Sequence, residues 1–329
     1  MKQKAVGLFS GGLDSQIATK LISELGFEVH ALFFGLPWII DYEKVKEAAN
    51  RLGVKFVFHQ LDEDYLEVVK NSRNGYGSAM NPCIDCKIYM LKKAANYMRD
   101  IGAAFVFTGE VLGQRPMSQK RHALKKIEQQ AGLDGYLLRP LSARLLDATI
   151  PEKLNIIDRE KLLEISGRGR TDQIALADKF GIKEYPGPAG GCKLTDQHYA
   201  SRLKDLFSHG LNDYRETISI RWGRHYRIDD KTKVIVGRDE MENDLLIKYA
   251  KPSDYILEPT VVSGPTVILK GNEPCKEIIA MAAGFIQHFS KHRGADPIGV
   301  TFYQAQDKEQ FFNTKAKGLH TSDIEKMKI

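Results

Sequence analysis

The chain has 329 residues, 43% hydrophobic and 27% charged, which fits a folded polypeptide of two domains rather than one. Its longest apolar run, residues 31–40, is broken by Gly35 and Pro37 and falls short of the ~18 residues a membrane helix needs; with no signal-peptide pattern at the start, no membrane partner and a cytoplasmic location are expected. Lys and Arg total 48 against 42 Asp and Glu, a mild basic balance that permits an anionic partner without demanding one, and four cysteines (Cys83, Cys86, Cys192, Cys275) are too few for a disulfide framework.

Residues 4–9 form a short apolar run that ends at a glycine pair and reads as a strand. Between Asp14 and Leu25, Ile17, Ala18, Leu21, Ile22 and Leu25 fall at helical spacing, and Gly26 stops the pattern. Residues 28–34 are predicted as a buried strand, 42–52 as a helix ended by Gly53, and 54–59 as a third strand. A long helix over 84–98, a fourth strand over 103–108, a helix over 118–130 and a fifth strand over 135–139 follow. Strands alternating with helices of this length imply an α/β, doubly wound parallel sheet that binds ligands at the carboxyl ends of its strands.

Residues 151–180 read as short helices, and Tyr185-Pro-Gly-Pro-Ala-Gly-Gly-Cys192 must be loop. Thr195 is the expected cap of a helix that reaches Phe207. Beyond Thr217 the character changes. Residues 218–222, 226–228 and 233–236 are predicted strands, 274–293 a helix and 299–303 a last strand, which makes a smaller α+β domain. The expected division is 1–185 for the first domain, 186–212 for a cysteine-bearing loop and linker helix, and 213–329 for the second.

The strongest chemical feature is Ser10-Gly11-Gly12-Leu13-Asp14-Ser15, between the first strand and the first helix. Gly11 and Gly12 let the backbone bend close to an anion, and the N–H groups of the loop and helix start then point at it. Ser10 and Ser15 add hydroxyl donors, and Asp14 is placed to orient a metal ion. This hexapeptide resembles the PP-loop of ATP pyrophosphatases. The resemblance implies a five-stranded (HUP-like) sheet, ATP with Mg2+, cleavage between the α and β phosphates, and adenine near Phe33 at the end of the second strand. Plain core packing is the competing role for Phe33 and Phe34.

A second loop follows the fourth strand: Gly109-Glu110-Val-Leu-Gly113-Gln114-Arg115, then Ser118-Gln119. From Arg115 to Lys126 there are five cations (Arg115, Lys120, Arg121, Lys125, Lys126) and no acid, either a phosphate-binding stretch or a solvated face. This loop, with Arg139-Pro140-Leu141, resembles the second signature of the tRNA 4-thiouridine synthases. That likeness covers roughly residues 1–200. It implies ATP contacts from Gly109 and Glu110, and RNA contacts from Gln114, Arg115, Lys120 and Arg121. The family's N-terminal RNA-binding region and rhodanese-like domain have no counterpart here, so RNA docking and sulfur delivery are expected from elsewhere.

Cys83-Ile-Asp-Cys86 follows Asn81-Pro82 at a helix start, a position that lowers thiol pKa values, and Cys192 follows Gly190-Gly191. Three readings stand. Cys83, Cys86 and Cys192 hold a [4Fe–4S] cluster, as in the cluster-dependent tRNA thiolation enzymes they resemble. Or one cysteine carries a persulfide that another resolves, as in the tRNA 2-thiouridylases, where one cysteine follows Asn-Pro and another lies about a hundred residues on. Or they are structural, with or without zinc. Cys275 is expected to be an ordinary, partly buried thiol.

In the second domain, Gly237-Arg238, Glu242-Asn243-Asp244, Asp254 and Gly264-Pro265 resemble the RNA-binding domain of the NFACT proteins over about ninety residues, although Tyr255 and Thr266 stand where that family commonly has Trp and His. Arg221, Trp222, Arg224, His225, Tyr226 and Arg227 interleave cations with aromatics, either a base-stacking surface or a solvated hairpin. The combined expectation is an ATP-dependent tRNA sulfurtransferase. It would adenylate a uridine carbonyl oxygen, with Cys192, Cys83, Cys86 and Asp14 as catalytic residues, an external sulfur donor, and Arg221 and Arg224 among the RNA contacts. A homodimer is permitted and not required. The competing readings are a PP-loop enzyme acting on a small molecule and a non-catalytic RNA-binding protein.

Overall fold

The computed structural model describes residues 2–36, 38, 42–61, 63–187, 192–210, 213–271, 274–293 and 297–329. The chain divides into two compact units, Met1–Thr195 and Asp196–Ile329. Among the described residues no helix is long and apolar enough to cross a membrane.

The first unit runs β1 (Lys4–Leu8), α1 (Leu13–Glu24), β2 (Glu28–Gly35), α2 (Glu43–Arg51), β3 (Lys55–Gln60), α3 (Glu63–Lys70), α4 (Cys83–Asp100), β4 (Phe105–Thr108), α5 (Arg121–Gln130), β5 (Leu137–Leu138), α6 (Ile150–Lys153) and α7 (Thr171–Lys179). Its five strands pair in parallel in the order β3-β2-β1-β4-β5, as the strand–helix alternation predicts. Ala5, Val29, Phe105 and Phe107 pack with Ile17, Ala18 and Ala177, so α1 and α7 cover one face. α4 lies against β1 and β4, and Tyr97 on it bonds His30 of β2 at 2.7 Å. The strand order reverses between β1 and β4, where Leu8 pairs with Thr108. In an open sheet the crevice at that reversal is where ligands sit. Both glycine loops leave the sheet there.

The second unit runs α8 (Gln197–Ser208), α9 (Tyr214–Ser219), β6 (Arg224–Asp229), β7 (Thr232–Val236), α10 (Glu240–Lys248), β8 (Tyr255–Pro259), β9 (Val267–Lys270), α11 (Lys276–Phe289), β10 (Ile298–Gln304), β11 (Asp307–Ala316) and α12 (Thr321–Met327). Its antiparallel sheet has the order β11-β10-β8-β9-β7-β6, and Ala282, Phe285 and Ile286 of α11 pack on Val234, Leu257 and Leu269.

Three expectations are corrected. Residues 218–222 are not a strand. Asp213 caps α9 by accepting from Arg215 N, and Thr217 and Ser219 bond back to carbonyls three residues earlier, so local hydrogen bonds overrule the apparent alternation. The cap of α8 is Asp196, which accepts from His198 N and Tyr199 N; the Thr195 hydroxyl bonds Cys192 O instead. The strand at residues 299–303 is not the last, because β11 pairs with it antiparallel.

Candidate active site

Chain reversal after β1 requires Gly11, whose φ is +72°, and a side chain there would also meet Val45 at 3.3 Å. The next turn is tied by serines: Ser15 Oγ donates to Gly12 O at 2.8 Å and lies 3.3 Å from Ser10 Oγ. Gln16 Nε2 holds Gly11 O at 2.8 Å and Glu184 O at 3.0 Å. The loop is thereby fixed in shape by its own side chains before any ligand arrives.

The second loop lies directly against the first. A Cβ on Gly109 would stand 2.6 Å from the carbonyl carbon and oxygen of Asp14 and 2.7 Å from Ser15 N. Only glycine allows this approach. A cavity of about 400 Å³ opens between the two loops, lined by Ser10, Gly12, Leu13, Asp14 and Ser15 from one side and Gly109, Glu110, Gln114 and Arg115 from the other. Phe33, Phe34, Cys83, Lys87 and Arg170 complete its wall. Thus the predicted ATP residues meet at one place, Gly11 supplying the turn rather than the wall. Phe33 is also core, stacked on Phe56 and Phe58 at 6.2 Å, so it packs the interior and lines the cavity at once.

Asp14 points into this space. Burial pushes its carboxyl above the usual aspartate range, against the pull of Gln114, Arg170, Arg115 and Gln173. The Gln114 and Gln173 amides face it without closing well-formed bonds: Asp14 Oδ1 and both amide atoms of Gln173 are buried and unpaired among the described residues. Glu110 is differently employed. Burial opposes its ionisation, but Lys87 and Arg139 prevail and hold the carboxyl down at about 2. Lys87 Nζ donates to Glu110 and, at 3.1 Å, to Ser118 Oγ, while Arg139 bridges Glu110 at 3.2 Å and Glu128 at 3.0 Å. Arg139, in the Arg-Pro-Leu segment, thus braces the wall behind the second loop.

The three cysteines act on one another electrostatically: Cys192 and Cys83 both raise Cys86, and Cys83 raises Cys192. Their environments differ. Cys83 faces the cavity and its Sγ donates to Ser118 Oγ at 3.3 Å. Cys86 bonds the fully buried Tyr65 hydroxyl at 3.0 Å. Burial pushes its thiol up to about 12, with Cys192 and Cys83 adding to the rise. Burial likewise raises Cys192, opposed by the Leu194 backbone, Arg115 and Trp38. The expectation that the helix start favours thiolates fails for Cys86, because desolvation outweighs the helix dipole. Gly190 and Gly191 lie outside the described residues. Cys275 is exposed, not partly buried.

A magnesium ion fits the site: a hard cation takes one or two carboxylates plus substrate phosphates, and Asp14 offers an unpaired oxygen beside the PP-loop. An iron–sulfur cluster does not fit the thiols as they stand. Only Cys83 opens on the cavity, Cys86 is committed to Tyr65, and among the described residues no three His, Cys, Asp or Glu side chains are grouped to hold a metal ion.

The basic run does not act as one surface. Arg115 lines the cavity, Arg121 Nη2 donates to Leu145 O at 2.8 Å, Lys125 pairs with Asp134 at 2.7 Å, and Lys120 and Lys126 are exposed. Arg170, missed from the sequence, has a readable signal: the Gly-Arg-Gly-Arg run at 167–170, just before a helix.

In the second unit, Arg221 lies 5.2 Å over Trp222, Trp222 stacks on Tyr249 at 5.4 Å, and Lys248 covers Tyr249 at 5.6 Å. Arg224 sits 4.7 Å over Phe289. His225 and Tyr226 are buried and Arg227 pairs with Asp205 at 2.7 Å, so these three leave the expected surface. The Glu242-Asn243 motif is a clasp: Glu242 accepts from Gly223 N and Arg238 N, and Asn243 from Thr266 N.

Residues 1–149 match the thiamine biosynthesis protein (ThiI) family and residues 223–327 the NFACT protein RNA binding domain. The chain is 26% identical over 313 residues to the tRNA-specific 2-thiouridylase MnmA of Clostridioides difficile (strain 630), covering 87% of this chain and 80% of that protein. It is 23% identical over 297 residues to the same-named protein of Marinobacter nauticus (82% and 75% covered). It is 29% identical over 288 residues to a tRNA sulfurtransferase of Histophilus somni (strain 129Pt), covering 82% of this chain and 53% of that protein, about half its length. By these matches the first part of the chain is similar to the ThiI family and the last part to the RNA-binding domain of the NFACT proteins.

Proposed function

We propose that this protein is an ATP-dependent tRNA sulfurtransferase that converts a uridine carbonyl to a thiocarbonyl. The observation that carries this reading is the cavity in which the PP-loop, the second loop and Cys83 face one another, and Cys83 is near enough to Cys192 to act on its ionisation. The named activities of the relatives support it, and the NFACT-type domain supports an RNA substrate.

A carbonyl oxygen is a poor leaving group. The uridine oxygen therefore attacks the α phosphate of ATP, the α–β bridge breaks, and pyrophosphate leaves while the base is adenylated. Loop N–H groups, Ser10, Ser15 and Arg115 would bear the charge that develops on the phosphates. Magnesium held by Asp14 would neutralise phosphate charge.

Cysteine sulfur carries the second half. A persulfide donor passes its terminal sulfur to Cys192 and is left as a thiol. That sulfur attacks the adenylated carbon and AMP departs. The Cys83 thiol then attacks Cys192 Sγ, expels the thiolated base and forms a Cys83–Cys192 disulfide, which an external dithiol reduces with two electrons. Cys86, protonated and bonded to Tyr65, has a packing role in this scheme.

Nucleoside mass spectrometry of RNA from cells with and without the protein tests this reading and reports which carbonyl is replaced. Loss of one thiouridine is expected on deletion. Cys192→Ala should abolish thiolation while preserving tRNA-dependent ATP–pyrophosphate exchange. Exchange that proceeds equally without tRNA would overturn the RNA substrate and favour a small molecule.

A further inference from the structure

Arg115 and Arg170 reach the cavity from different segments. Arg115 belongs to the second loop. Arg170 precedes α7 on a segment docked to that loop: Ser166 bridges Leu112, Gly167 N donates to Leu112 O at 2.8 Å, and Gly167 turns with φ +86°. The two side chains line the same space, and both act on Asp14. Neither has an ion-pair partner among the described residues. By contrast Arg51, Arg139, Arg144 and Arg159 of the same unit each meet a glutamate. One turn beyond Arg170 stands Gln173, wholly buried, with both amide atoms unpaired.

Arg170 is half-buried and Arg115 exposed; a half-buried guanidinium without an ion pair is costly unless an anion completes it, and the planar fork of either residue matches phosphate oxygens in pairs. The cavity's other cation, Lys87, is already neutralised by Glu110. Two guanidiniums without an ion pair among the described residues therefore share the cavity with the PP-loop, both near enough to act on its Asp14.

We propose that Arg115 and Arg170 clamp the phosphate chain of the nucleotide held by the PP-loop, with Arg170 holding the pyrophosphate that leaves. This rests on the ATP reading above. The clamp gives the departing group partners of its own, so charge moving onto the β phosphate in the transition state meets a fixed fork rather than water. It also ties the reaction to the segment that carries Arg170, which is held to Leu112 of the second loop through Ser166 and Gly167.

Calorimetric titration of the full chain with inorganic pyrophosphate and, separately, with AMP tests the proposal, using wild type, Arg170→Ala and Arg170→Lys with thermal melts beside them. Arg170→Ala should weaken pyrophosphate by about tenfold or more and AMP by less than about threefold, one charge-assisted pair being worth about that ratio. Arg170→Lys, which keeps the charge and loses the fork, should fall between. Pyrophosphate affinity within about twofold of wild type in Arg170→Ala, or equal losses for both ligands in a variant that melts normally, would overturn the clamp while leaving the ATP reading intact. A wild-type chain that binds neither ligand and forms no AMP from ATP would overturn both.

Discussion

Replacing Gly109 with alanine probes the contact between the two loops. The added methyl would lie 2.6 Å from the carbonyl carbon and oxygen of Asp14 and 2.7 Å from Ser15 N. These are backbone atoms, and no side-chain rotation relieves them. Restoring an ordinary contact of 3.4 Å requires the loops to part by about 0.8 Å. Overpacking of this kind costs about 1–3 kcal/mol. The same movement widens the cavity where the nucleotide is held, and a misplacement near 1 Å costs about 100-fold in rate. Gly109→Ala should therefore lower kcat/KM for AMP formation by about 10- to 100-fold, with a smaller fall in Tm. The assay is radiolabelled ATP with bulk tRNA, and chemical denaturation gives the stability term. Wild-type kcat/KM together with wild-type stability would refute the reasoning, because it would mean that the two loops do not touch.

Other outcomes follow from the same geometry. Glu110 has its carboxyl held near 2 in the folded chain against 4.5 when unfolded. Its contribution, on the order of 3 kcal/mol, is fully present above about pH 4.5 and drains away as pH falls toward 2. Glu110→Gln should flatten the stability–pH curve across that window, and an unchanged slope would contradict the assignment. Cys86→Ala leaves the buried Tyr65 hydroxyl unpaired and should cost about 1–3 kcal/mol in urea unfolding. Cys86→Ser should recover most of it and retain thiolation, whereas Cys83→Ser should not thiolate; equal loss in both serine variants would favour three cysteines acting as one set. Arg221→Ala with Arg224→Ala should weaken tRNA binding and reduce its salt slope by about 2, read by filter binding across a KCl series.

What the sequence discloses depends on the range of the forces involved. The parallel sheet is legible because periodicity and stopping glycines are local, and the PP-loop because its serines and glycines bond to one another within six residues. The state of the thiols is not legible. Burial by distant parts of the chain raises both Cys86 and Cys192, and the partners that oppose it, Tyr65 for Cys86 and Trp38 among those for Cys192, also come from elsewhere in the sequence. A helix-start argument sees the dipole and misses the desolvation. Arg115 to Lys126 looks like one basic patch in a string, yet folding turns its members toward a cavity, a carbonyl, an aspartate and solvent in turn. Residues 218–222 mislead for the opposite reason: they alternate like a strand, but Asp213 and Thr217 supply helix bonds within one turn.

The bracing behind the second loop also divides how the two halves of the molecule respond to dissolved ions. Lys87, Glu110 and Arg139 are largely enclosed by protein, so added salt hardly screens them. Exposed cations that meet a polyanion behave oppositely, because each contact made releases counterions and each increment of salt reverses it. Ionic strength thus becomes a dial that turns one half and spares the other. On the proposed reading, concentrated KCl would shed nucleic acid while the chamber keeps its shape, and nucleotide binding measured there would report the chamber separated from the docking that feeds it.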